Sequence, residues 1–204
     1  MFKKIVMIIL IPSFFVGCGG PSPSKSFDEI RVAVQTNDRL RFDRYVDLDR
    51  LANHAVDTVI SQGMAETMSN DTADGMEQLG AALGMAMMEG LKPAMVETVK
   101  TQILKVVDGK PTGGEGKSST EATDGLMKIF GNGISAWAIG EVKEDGPLAI
   151  VSLPFQNDDI GEMNLDLKFE KTESGDWVLV ELANLSRILE KQQGVEASKK
   201  AQRQ

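Results

Sequence analysis

The apolar residues of this chain change their period once, near residue 136, and that switch constrains the fold more than any other feature. Before it, large hydrophobic side chains recur every three or four positions, which gathers them on one face of a helix. After it they alternate, the spacing of a half-buried strand. Helices followed by strands specify an α+β arrangement, because an antiparallel sheet with one apolar face needs a cover. The alternative is a helical subdomain followed by a separate sheet. A free sheet would leave Trp137, Leu165, Leu167, Phe169, Trp177 and Leu179 in water, so a single domain over residues 27–194 is expected.

In the helical part, Ser26 and Glu29 have the spacing of a capping box, which starts a helix carrying Phe27, Ile30 and Val34 as far as Asn37-Asp38. A short turn with Leu40, Phe42, Tyr45 and Val46 follows. Asp47 then caps a helix in which Leu48, Leu51, Ala52, Ala55, Val56, Val59, Ile60 and Met64 share a face opposite Arg50, Asn53, His54 and Asp57. A third pattern from Asp71 runs through Met76, Leu79, Leu83, Met87 and Leu91. Its glycines at 75, 80, 84 and 90 weaken it by about 1 kcal/mol each relative to Ala. Pro93 fits a first-turn position and opens a further segment with Met95, Val96, Val99, Ile103 and Val106, stopped by Asp108-Gly109. Residues 110–121 read as a polar loop, and a short helix is expected over 126–130.

The strands form two hairpins. Residues 136–142 turn at Glu144-Asp145-Gly146 into 148–155, and the strictly alternating 163–170 turns at Glu173-Ser174-Gly175 into 177–182. The expected product is a meander of about four strands packed under the N-terminal helices. A short C-terminal helix around Leu185, Ile188 and Leu189 follows, and then a polar, fraying tail over 195–204.

The front of the chain is an address rather than a structural element. Residues 1–17 place Lys3 and Lys4 before an apolar run from Ile5 to Ile11, the layout of a secretory signal peptide. Pro12 interrupts the run well short of the roughly 20 apolar residues a membrane span needs. Next, Phe15-Val16-Gly17-Cys18 resembles the lipobox of bacterial lipoproteins, with Phe15 where that motif prefers Leu. The resemblance implies that Cys18 becomes the first residue of the mature chain, thioether-linked to diacylglycerol and acylated on its amine. It also implies an envelope protein anchored in a membrane. With Gly19 where an inner-membrane retention signal would carry Asp, the outer membrane facing the periplasm is the expected location. Residues 18–26, with the composition GGPSPSKS after the Cys, then serve as a lipidated tether. The alternative is a cleaved secretory protein with a free Cys.

The body's opening, Phe27-x-x-Ile30-x-x-Ala33-Val34-x-x-x-Asp38 with Arg44-Tyr45-Val46-Asp47-Leu48, resembles an uncharacterised family of bacterial secreted proteins and lipoproteins. The Gly175-Asp176-Trp177 step matches that family's closing hairpin. These are packing signatures, so the resemblance implies a fold and no activity.

Composition removes many chemistries. The chain has 22 Lys+Arg against 30 Asp+Glu, a formal charge of -8. Counterion release on a phosphate backbone is therefore disfavoured, and no nucleic-acid partner is expected. One Cys, one His and two Trp leave little for disulfides, zinc or base stacking. No phosphate-binding loop, nucleophile elbow, zinc-binding histidine pair or dinucleotide fingerprint occurs. No metal, cofactor or catalytic residue is expected.

Some alternatives remain. His54 reads as a solvated surface residue rather than a general base. The acids at 43, 47 and 49, or at 158, 159 and 162, are raw material for a carboxylate-based enzyme, but capping and turn roles explain them more simply. Met85, Met87 and Met88, with Met64, Met68, Met76 and Met95 nearby, can supply thioethers to Cu(I), yet helical spacing puts most of them on the apolar face as core filler. Adaptable helices over a curved sheet suggest instead a binding or interaction module for a hydrophobic ligand or a protein partner. Its ligand-contacting candidates are Met76, Leu83, Met87 and Met95. A carboxylate enzyme and a purely structural envelope lipoprotein are the competing readings.

Overall fold

The computed structural model describes residues 21–68, 75–110, 138–157 and 161–201. Helix α1 (Pro23–Thr36) begins one turn before the capping box, because Ser22 rather than Ser26 is its N-cap and accepts a hydrogen bond from the Lys25 N–H. Pro23, with its preset φ and no N–H to satisfy, suits the first helical position, and Ser26 is buried inside the turn. The first turn thus uses residues whose composition reads as tether. Asn37 closes α1 in the left-handed conformation, and Asp38 caps α2 (Arg39–Tyr45) through the Arg41 N–H at 3.0 Å.

Helix α3 (Leu48–Met68) is capped as expected, the Asp47 carboxylate accepting from the Arg50 N–H at 3.0 Å. Leu51, Ala52, Ala55, Val56 and Ile60 on its apolar face are buried. Helix α4 (Gly75–Val107) runs through Pro93, which opens no separate helix. An interior proline forfeits one ladder hydrogen bond and crowds the preceding turn, at a cost of about 3 kcal/mol. Here the carbonyl it frees belongs to Glu89, and both residues are exposed, so water can satisfy it. Beyond the proline, Val96, Val99, Ile103 and Val107 are buried and hold the helix to the core. Gly109 stops it at φ 66°, where any other side chain is strained, and a Cβ there would lie 2.6 Å from Asn37 Oδ1 and have to displace that carboxamide.

The sheet is a four-stranded antiparallel meander in sequence order, β1 (Val142–Asp145), β2 (Leu148–Asn157), β3 (Gly161–Lys171) and β4 (Trp177–Leu182). The first strand begins later than the alternation from 136 suggests, and its turn is Gly146-Pro147, with Gly146 at φ 59°. On the core face, Ala149 pairs with Phe169, Val151 with Leu167 and Leu153 with Leu165, all buried. A bulge opposite Lys168 and Phe169 leaves Val180 as the extra residue, so Leu179 and Val180 are both buried. The α2 to α3 junction covers the outer edge of β4, where the Asp47 N–H donates to the Leu179 carbonyl at 2.9 Å.

Helix α5 (Leu185–Ala201) buries Leu185, Ile188 and Leu189. It passes through Gly194 and converts most of the expected polar tail into helix, with Ser198 Oγ donating to the Gly194 carbonyl. The fold is therefore α+β, with N-terminal helices and a C-terminal meander sharing one hydrophobic core. Among the described residues, no helix is long and apolar enough to cross a membrane. Cys18, Trp137, the 126–130 helix, Asp158 and Asp159 lie outside the described residues, as does the polar loop apart from Lys110.

Candidate functional site

β4 is shorter than β3, and this mismatch creates the site. The two strands pair only from Leu167 to Lys171, so the first half of β3 extends past the end of β4 beside its partner β2. Asn184, two residues after β4, spans the gap. Its Oδ1 accepts from the Asp166 N–H at 3.0 Å and its Nδ2 donates to the Asn164 carbonyl at 2.8 Å. One carboxamide thus provides the donor and acceptor of a further strand residue, and α5 starts immediately afterwards.

Between α5 and the projecting β2–β3 hairpin lies an open cleft of about 850 Å³. Pro154, Phe155 and Met163 give it apolar surface. Gln156, Glu162, Asn164, Asp166, Asn184, Arg187, Glu190 and Lys191 complete the lining. Phe155 and Met163 are cross-strand partners that continue the core row one step past Leu153 and Leu165, but they are only half-buried. Asp166 is already occupied, accepting from Ser152 Oγ at 2.6 Å. Arg187 and Lys191, one helical turn apart, have no ion-pair partner among the described residues, unlike the cations discussed next.

At the other end of β3, Arg50 of α3 makes a two-pronged bond to Glu170, at 2.6 and 2.7 Å. The hydrogen bonds from Arg50 hold the Glu170 carboxyl below the usual carboxylate range, and the same bonds raise the guanidinium. His54 is not simply solvated. Its Nε2 lies 3.1 Å from Glu181, whose other oxygen takes Lys168 at 2.9 Å, and its buried Nδ1 has no hydrogen-bond partner among the described residues. The acids of the carboxylate alternative have structural work. Asp47 caps α3, Asp43 faces Arg39 at 3.8 Å, and Asp49 binds Lys100 at 2.7 Å, an ammonium that this bond and Glu97 push upward. No cluster of three or more metal-binding side chains occurs among the described residues.

Of the four ligand-contacting candidates on α4, Met87 and Met95 have described side chains. Met87 is 65% exposed, with Leu91 exposed one turn later, so Met87 is not the core filler its spacing suggests. Met95 is half-buried against the core. Met76 and Leu83 lie on the α4 backbone, but their side chains fall outside the described residues. Sequence reasoning missed the cleft. Its signals are the unequal lengths of the last two strands and an Asn at the strand-to-helix step. No protein-family model, curated protein or solved structure matches the chain.

Proposed function

We propose that this chain is a membrane-anchored bacterial envelope lipoprotein that works as a binding module, attached through Cys18 and contacting its ligand at the cleft beside α5. The lipobox-like run before Cys18 supports the anchor. With α1 capped by Ser22, four residues link the anchor to the body, a reach of at most about 14 Å. Cleavage before Cys18 would remove two lysines and no acid, leaving a body more negative than the -8 of the full chain. Anionic lipid repels such a surface, so acyl chains supply the attachment, at about 0.8 kcal/mol per buried CH₂.

The observation that carries the binding role is the cleft itself. Its volume falls in the range of roughly 300–1,000 Å³ typical of ligand sites, and it joins the half-buried Phe155 and Met163 to two cations that have no ion-pair partner among the described residues. The acids at 43, 47 and 49 are committed to capping and ion pairs away from the cleft, which favours binding over catalysis.

Two measurements test this reading. A Cys18→Ser variant should leave the membrane fraction after a carbonate wash, and one that stays would overturn the anchor. A photocrosslinking residue at position 163 should give discrete adducts in the native envelope, whereas one at the exposed position 40 should not. Equal labelling from both positions would overturn the site.

A further inference from the structure

One wall of the cleft is an unfinished sheet edge, and its hydrogen-bonding pattern indicates the class of ligand, an inference that rests on the binding role proposed above. In an antiparallel ladder, successive residues direct their backbone groups to opposite sides. In β3 the even-numbered residues face the β4 side. The Asp166 carbonyl accepts from the Ala183 N–H at 2.8 Å, and Asn184 takes the Asp166 N–H and the Asn164 carbonyl. β4 itself ends at Leu182. Continuing the alternation, the Asn164 N–H and both backbone groups of Glu162 face the cleft, with no strand opposite among the described residues.

The opposite edge of the same hairpin is protected. Pro154 has no N–H to offer there, and Gly140 lies close alongside, its N–H bonded to the Ser152 carbonyl at 2.9 Å. The open edge thus coincides with the cleft and the guarded edge does not.

We propose that the cleft binds an extended segment of a partner polypeptide, added as a strand beside β3 at Glu162 to Asn164 and carrying an acidic side chain toward Arg187 and Lys191. Unpaired strand donors and acceptors are satisfied by another main chain and not by an acyl chain. Among the described residues the two cations have no acid partner even though Glu162 and Glu190 share the rim, so an incoming carboxylate completes the charge pattern.

The test presents the purified full chain with a random short-peptide display library. Enriched peptides should contain Asp or Glu, and binding should slow amide exchange at Glu162 and Asn164. N-methylation of the peptide bonds facing β3 should weaken binding about tenfold for each hydrogen bond lost. Glu162→Pro, which removes an edge N–H while leaving the β2 pairing to odd-numbered residues, should weaken it similarly. Failure to enrich any peptide, or indifference to N-methylation, overturns strand addition. A parallel titration with decanoate, read at the Met163 methyl resonance, separates the two levels of the proposal. Decanoate binding without peptide binding overturns strand addition and leaves the cleft as a ligand site, and the absence of both overturns the two together.

Discussion

The two halves of the β2–β3 hairpin have the same alternation and the same apolar face but opposite fates. Near the β1 and β4 turns, Ala149, Val151, Leu153, Leu165, Leu167 and Phe169 are buried with the helices in one core. At the far end, Phe155 and Met163 occupy the same face one step on and are half-buried beside a cleft. Strand sequence selects the face. Where the neighbouring strand and helices stop decides whether that face is closed.

Two phenylalanines on that face give the largest test of this difference. Phe169→Ala should destabilise by about 3–5 kcal/mol, the lost transfer energy plus a cavity among fully buried neighbours. Phe155→Ala should cost only about 1 kcal/mol, since solvent already reaches the ring. Urea unfolding of both variants checks this, and equal losses would mean that the far end is closed in solution.

Helix α4 repeats the contrast on a smaller scale. Met95→Ala should cost about 1–2 kcal/mol because its side chain packs on the core, while Met87→Ala should stay within about 0.5 kcal/mol. Thermal melts of the pair measure the difference directly. A large loss at Met87 would place a covering partner on that stretch of the helix.

Much of the fold was legible because it rests on local periodicity. The run from Trp177 to Leu182 reads as a strand with its observed ends, and Asp47 reads as a cap, since each depends only on near neighbours. Pro93 reads as a helix start, but its helix is held by tertiary contacts of Val96, Val99 and Ile103, which outweigh a local breaking signal. Spacing puts Met87 on an apolar face, but spacing defines a face and cannot say whether anything packs on it. The cleft was not legible for the same reason. It arises from β4 ending before β3 does and from a single Asn carboxamide completing the ladder, and both are relations between distant residues.

The smallest expected effect concerns what ties α3 to the sheet. Glu170 titrates below its ordinary value of about 4.3 because Arg50 holds the ionised form. A carboxyl with a lowered folded pKa contributes stability that is complete above the unfolded value and lost as pH falls through the folded one. Below about pH 4.3 the wild type should therefore lose stability more steeply than Glu170→Gln, and the two should run parallel at neutral pH. Both side chains are substantially exposed, so solvent screens the pair. A double-mutant cycle with Arg50→Ala should give a coupling of about 0.5 kcal/mol that shrinks with added salt. A coupling several times larger that ignores salt would mean this contact, rather than the apolar packing of Leu51, Ala55 and Val56, anchors α3 over the closed half of the sheet.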